Sequence, residues 1–110
     1  MPKYLLHGSY TEQGLKGLLK EGGSKRRQAV EQAVKALDGT LEALYFAFGD
    51  NDFYIIVDYP TNVSATVGAL VASATGAINL KTAVLITPEE VDQAVKQAEK
   101  LTGAYRAPGQ

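Results

Sequence analysis

The sequence contains no cysteine. That absence excludes disulfide scaffolds, thiolate catalysis, zinc ribbons and cysteine-held iron–sulfur clusters together. Histidine occurs once, at His7, which also excludes a multi-histidine metal centre within one subunit. Neither sign of charge dominates: eleven Lys and Arg stand against twelve Asp and Glu, for a net charge of -1. Nucleic acid and anionic membranes are therefore not expected as partners. Long apolar runs are missing too. The longest spans Ala43 to Phe48, far short of a membrane crossing, and Met1 to Gly8 carry no secretory signature. A cytoplasmic protein is expected.

What remains is an ordinary globular composition. The chain of 110 residues, 45% hydrophobic and 21% charged, suits one domain and not two. A domain this size buries roughly two thirds of the surface its unfolded chain exposes. Lys3 to Tyr10 alternates as a strand, with Tyr4, Leu6 and Tyr10 on one parity and Leu5, His7 and Ser9 on the other. Helical spacing follows at Leu15, Leu18 and Leu19, is interrupted at Gly22-Gly23, and resumes after a Ser24 cap with Val30, Ala33, Val34 and Leu37. Asp38-Gly39 marks its end. Thr40 to Phe48 and Asp52 to Tyr59 read as strands joined by a tight hairpin with Asp50-Asn51 at the tip, where Asn tolerates a positive φ. Val63, Val67, Leu70, Val71 and Ala74 predict a helix closed by Gly76, and Ala77 to Ile86 alternates as a fourth strand. Thr87-Pro88-Glu89-Glu90 then combines capping-box spacing with proline at the first helical position, and Val91, Ala94, Val95, Ala98 and Leu101 continue one face.

The order β-α-β-β-α-β with an added C-terminal helix predicts an α+β fold of the ferredoxin-like kind. Right-handed crossovers require a four-stranded antiparallel sheet of order 4-1-3-2, with both crossover helices on one face and the other face open. The domain is expected over residues 1–102, with 103–110 as an extended tail.

The stretch from Phe48 through Gly49-Asp50-Asn51-Asp52 to Pro60, preceded by Ser9-Tyr10-Thr11-Glu12-Gln13-Gly14 and followed by Lys81-Thr82, resembles the bacterial GYD domain family. The resemblance runs from about Pro2 to Lys100 and departs at the name-giving motif, where Asn51 stands in place of the tyrosine before the aspartate. It implies a dimeric α+β barrel and no established reaction.

Two features point towards chemistry. The second and third strands are apolar on both parities, with Leu44, Phe46, Phe53, Ile55 and Val57 set against Ala43, Tyr45, Tyr54 and Ile56. A sheet with one wet face should alternate, so the open face is expected to be covered by another copy of the chain or by the C-terminal segment. The strand order would also gather His7, Ser9, Tyr54, Asn79 and Lys81 on one face. There His7 would serve as a proton acceptor and Lys81 as a seat for an anionic group. The alternative is a hydrogen-bonded histidine among ordinary polar sheet residues. Asp50 and Asp52 suit a cation or, more simply, Asx-turn hydrogen bonds. Gly22 to Arg27 offers an anion site at a helix start or a solvated basic face.

The functional expectation is an oligomeric small-molecule-binding or regulatory domain, without cofactor or metal. The alternative is a cofactor-independent oxygenase or isomerase with His7 as base.

Overall fold

The computed structural model describes Met1–Gln110. Strand β1 (Lys3–Tyr10) leads into helix α1 (Glu12–Ala36). Strands β2 (Thr40–Phe46) and β3 (Phe53–Asp58) follow, then α2 (Asn62–Ala74), β4 (Ile78–Leu85) and α3 (Pro88–Thr102). The four strands form one antiparallel sheet of order β2-β3-β1-β4, the ferredoxin-like order with a helix added at its end. Gly103 to Gln110 carry no helix or strand. No helix is long and apolar enough to cross a membrane.

The predicted first helix and its interruption form one element with a kink. Gly22 sits at φ 80° and ψ 174°, a conformation an L side chain rarely adopts, and both halves are helical around it. Thr11 caps the start by accepting the Gly14 N–H, and Gly14 lies so close to β4 that a Cβ there would be 2.0 Å from the Ala77 carbonyl oxygen. At the other end the left-handed residue is Asp38, at φ 59°. Gly39 is glycine for space, because a Cβ would press on Asp58 and the Tyr59 ring.

The β2–β3 connection corrects the hairpin expectation. The strands stop at Phe46 and Phe53, and Ala47 N–H donates to the Asp52 carbonyl at 2.8 Å across a six-residue loop. Asn51 does not adopt a positive φ. The strand ends are instead held by β1, since Asp52 N–H donates to the Gly8 carbonyl at 2.7 Å and Tyr10 N–H donates to the Asp52 carboxylate at 2.9 Å.

The core lies between the sheet and the crossover helices. Tyr4, Phe53, Ile55 and Val57 point there from the strands, and Val34, Tyr59 and Ala65 meet them. Each large side chain so buried contributes about 1.5–3 kcal/mol relative to exposure. The Tyr4 and Tyr59 rings stand 5.8 Å apart, and the Tyr4 hydroxyl donates to the Asn62 side chain at the start of α2. Burial depresses ionisation of Tyr10 and Tyr59, raising both phenols above their ordinary value; the Arg26 guanidinium partly opposes this at Tyr10. Helix α3 contributes no buried residue. It stands off the body, and the chain measures 57 × 32 × 22 Å with a radius of gyration of 17.5 Å. A compact domain of this length would have about 13 Å.

Candidate functional site

Strand alternation decides which side chains reach the open face. Tyr4 and Leu6 join the helix-side core, so Leu5, His7 and Ser9 must point to the opposite side. The register then sets a line across all four strands: Tyr45 pairs with Tyr54, Tyr54 with His7, and His7 with Lys81. Ser9 pairs with Asn79 in the next row towards the β1 end. The five side chains expected to meet on one face thus occupy two adjacent rows of it.

The line has internal order. The His7 and Tyr54 rings are parallel to within 9°, with centroids 6.3 Å apart. Asn51 joins them: its Oδ1 lies 3.1 Å from His7 Nδ1, and its Nδ2 donates to the Tyr54 hydroxyl at 3.2 Å. An amide oxygen can only accept, so His7 Nδ1 carries the proton of the neutral ring and Nε2 keeps its lone pair. The Tyr54 hydroxyl accepts from Asn51 and retains its own proton for an outward partner.

Polarity falls away along the strands. Ala43, Ile56, Leu5 and Ala83 form an apolar row beside the polar one, and beyond it Lys3 Nζ bridges Glu42 at 2.9 Å and Asp58 at 3.0 Å. The hydrogen bond with Glu42, then that with Asp58, holds the Lys3 ammonium above the usual lysine range. The open face therefore carries an acceptor, a hydroxyl and a cation at one end, an apolar middle, and a closed ion triad at the other. Tyr45 remains 71% exposed and Lys81 is exposed, so within one chain the line lies on open surface.

Sequence reasoning passed over Asn51 as a site residue. The available signal was the departure from the family's tyrosine at this position. Asp52 serves the backbone of Tyr10, and no group of three or more His, Asp or Glu side chains is placed to hold a metal. The Gly22–Arg27 segment lies within kinked α1, where Arg27 approaches Glu31 at 4.0 Å and Arg26 faces Tyr10. On the helix side, a cavity of about 230 Å³ between α1 and α2 is lined by Leu6, Val30, Phe53 and Val71, with Arg26 as its one charged residue.

A four-stranded antiparallel sheet with crossover helices on one face and a polar line on the other defines an α+β domain of the ferredoxin-like class. The GYD domain family model matches residues 4–95, which include the whole line and all four strands but for Lys3, and the chain belongs to that family. No match to the chain is found among curated proteins or among solved structures.

Proposed function

We propose that this GYD-domain protein is a homo-oligomeric small-molecule-binding domain whose ligand lies between the open sheet face and a covering second copy. The observation that carries the reading is the Tyr45–Tyr54–His7–Lys81 line, with Asn51 orienting its two central rings. A ligand with an apolar or aromatic body and an anionic or carbonyl group fits this chemistry. The body would rest on Tyr54, Tyr45 and the Leu5–Ile56 row, and the oxygen would face Lys81. Ser9 and Asn79 supply further polar contacts at the edge.

The apolar residues argue for the cover. Tyr45, Tyr54, Leu5 and Ile56 form a contiguous surface, and leaving large side chains wet forgoes about 1.5–3 kcal/mol for each. Sedimentation equilibrium tests the oligomer: a second copy is expected at micromolar concentration, and Tyr45→Glu is expected to weaken it. Native mass spectrometry of the purified protein tests the ligand. Retention of a small molecule by wild type and its loss from Lys81→Ala supports the reading, whereas equal retention by both refutes it.

One observation favours a catalytic version. With Nδ1–H directed at Asn51, His7 Nε2 is an unoccupied base beside the Lys81 row. It could take a proton from a carbon next to a carbonyl while the Lys81 ammonium receives the developing enolate charge. A binder keeps its ligand unchanged; an isomerase or oxygenase of this kind converts it, and His7→Ala abolishes conversion while the fold survives.

A further inference from the structure

We infer that α3 is an exchanged arm: its apolar stripe seats on the outer face of α2 and the adjoining edge of β4 in a second copy. The inference requires a second copy but not the sheet-face contact proposed above, so the two can fail separately.

Helix α3 is built for a seat it lacks within the chain. Val91, Ala94, Val95, Ala98 and Leu101 recur at helical spacing on one face, while Glu89, Asp92, Lys96, Glu99 and Lys100 fall on the opposite one. A full capping box at Thr87 and Glu90 and proline in the first turn define its start. Isolated helices of about 15 residues are marginal in water, and their stability in proteins comes from packing an apolar face. Yet no residue of α3 is buried, and Val95 remains 64% exposed.

Helix α2 presents the complementary deficiency. Its segment Asn62–Ala74 has no charged residue, and Val63, Val67 and Leu70 stay exposed on the side away from the core. Large apolar side chains grouped on the outer side of a helix call for a partner. Beside Leu70 runs a trough of about 360 Å³ between α2 and β4, lined by Tyr4, Ala65, Ala69, Leu70 and Val84 together with four polar residues of α2 and β4. At about 1.5 Å per residue, α2 and α3 are nearly equal in length, roughly 20 and 22 Å.

The chain's own α3 does not reach this seat. Only Ile86 and Thr87 separate β4 from α3, and Thr87 is extended at φ -75° and ψ 157°, carrying the helix onward from the sheet. Area favours a second copy as the occupant. The exposed Val and Leu side chains of one seat and one arm number seven, each still offering on the order of 50 Å². Two reciprocal seats, with their intervening alanines and backbone, approach the roughly 1,200–2,000 Å² of a stable interface.

The absence of native cysteine makes the test direct. Leu70→Cys in one tagged chain and Val91→Cys, Val95→Cys or Leu101→Cys in a differently tagged full-length chain are co-expressed and oxidised, with circular dichroism confirming the fold of each. A disulfide-linked band carrying both tags is expected for at least one pair, and none for Leu70→Cys with Lys96→Cys on the charged face. Failure of all three pairs overturns the inference. So does a double variant, Leu70→Cys with Val95→Cys, that closes within a single monomeric chain. Adding Tyr45→Glu separates the readings: the arm cross-link should persist even where that substitution abolishes the sheet-face contact.

Discussion

At the scale of single residues, Asn51 holds the two rings of the line in place from a loop that β1 itself tethers. Asn51→Ala should remove both side-chain bonds at a cost of about 0.5–1.5 kcal/mol each at most, less where water replaces the amide. The more telling readout is the imidazole ¹⁵N spectrum. Wild type should show the Nδ1–H tautomer, and Asn51→Ala a mixture; an unchanged spectrum would show that Asn51 does not orient the ring. Titration of Lys3, Tyr10 and Tyr59 also acts at this scale. All three are raised above their ordinary values, Lys3 by its carboxylate partners and the tyrosines by burial. In each case the native state holds its proton more tightly than the unfolded chain. Their contribution is complete below the unfolded values, near 10, and is lost as pH rises through the folded ones. Melting temperature should therefore fall as pH rises above about 10, and Tyr59→Phe should lessen that fall with little effect at neutral pH.

At the scale of elements, two glycines of α1 make a controlled comparison. Gly14→Ala would drive a methyl group into the Ala77 carbonyl, whereas nothing lies within 4 Å of a Cβ at Gly17. Denaturant unfolding should show Gly14→Ala losing about 1–3 kcal/mol through overpacking. Gly17→Ala should gain up to about 1 kcal/mol from helix propensity. Equal effects would mean that the close approach of α1 to β4 is not rigid. Strand periodicity makes the shared face of the candidate residues legible: a period of two puts His7 and Ser9 opposite Leu6, and antiparallel pairing brings Tyr54 and Lys81 to His7. Asn51 was not legible, because a loop residue has no period and its position depends on the long-range bond from Asp52 to Gly8. In the sequence Gly22 signals a break between helices, since glycine marks an interruption without revealing whether the axis resumes. The stripe on α3 was readable as helical, but periodicity says that a face is apolar and not what it meets.

At the scale of the whole molecule, uncovered surface is the main feature. The chain has apolar side chains exposed on the sheet face, on outer α2 and along α3, and its radius of gyration exceeds that of a compact domain of its length. Assembly should bury these surfaces and raise thermal stability with protein concentration. A melting temperature that is constant across a hundredfold dilution into the nanomolar range would argue that the folded chain is self-sufficient. Hydrogen exchange gives a finer view: amides of α3 should be protected in the assembled protein and exchange quickly once dilution dissociates it.

The strand order also bears on how the protein emerges during synthesis. The interior strand β1 is made first, yet both of its neighbours, β3 and β4, come later, and the sheet cannot close until Leu85 has been added. At about 5–20 residues per second, Lys3–Tyr10 waits roughly 4–15 s for its last neighbour. A nascent chain stalled before β4 should therefore be sensitive to protease and prone to bind chaperones, and one stalled after β4 has cleared the ribosome should be resistant.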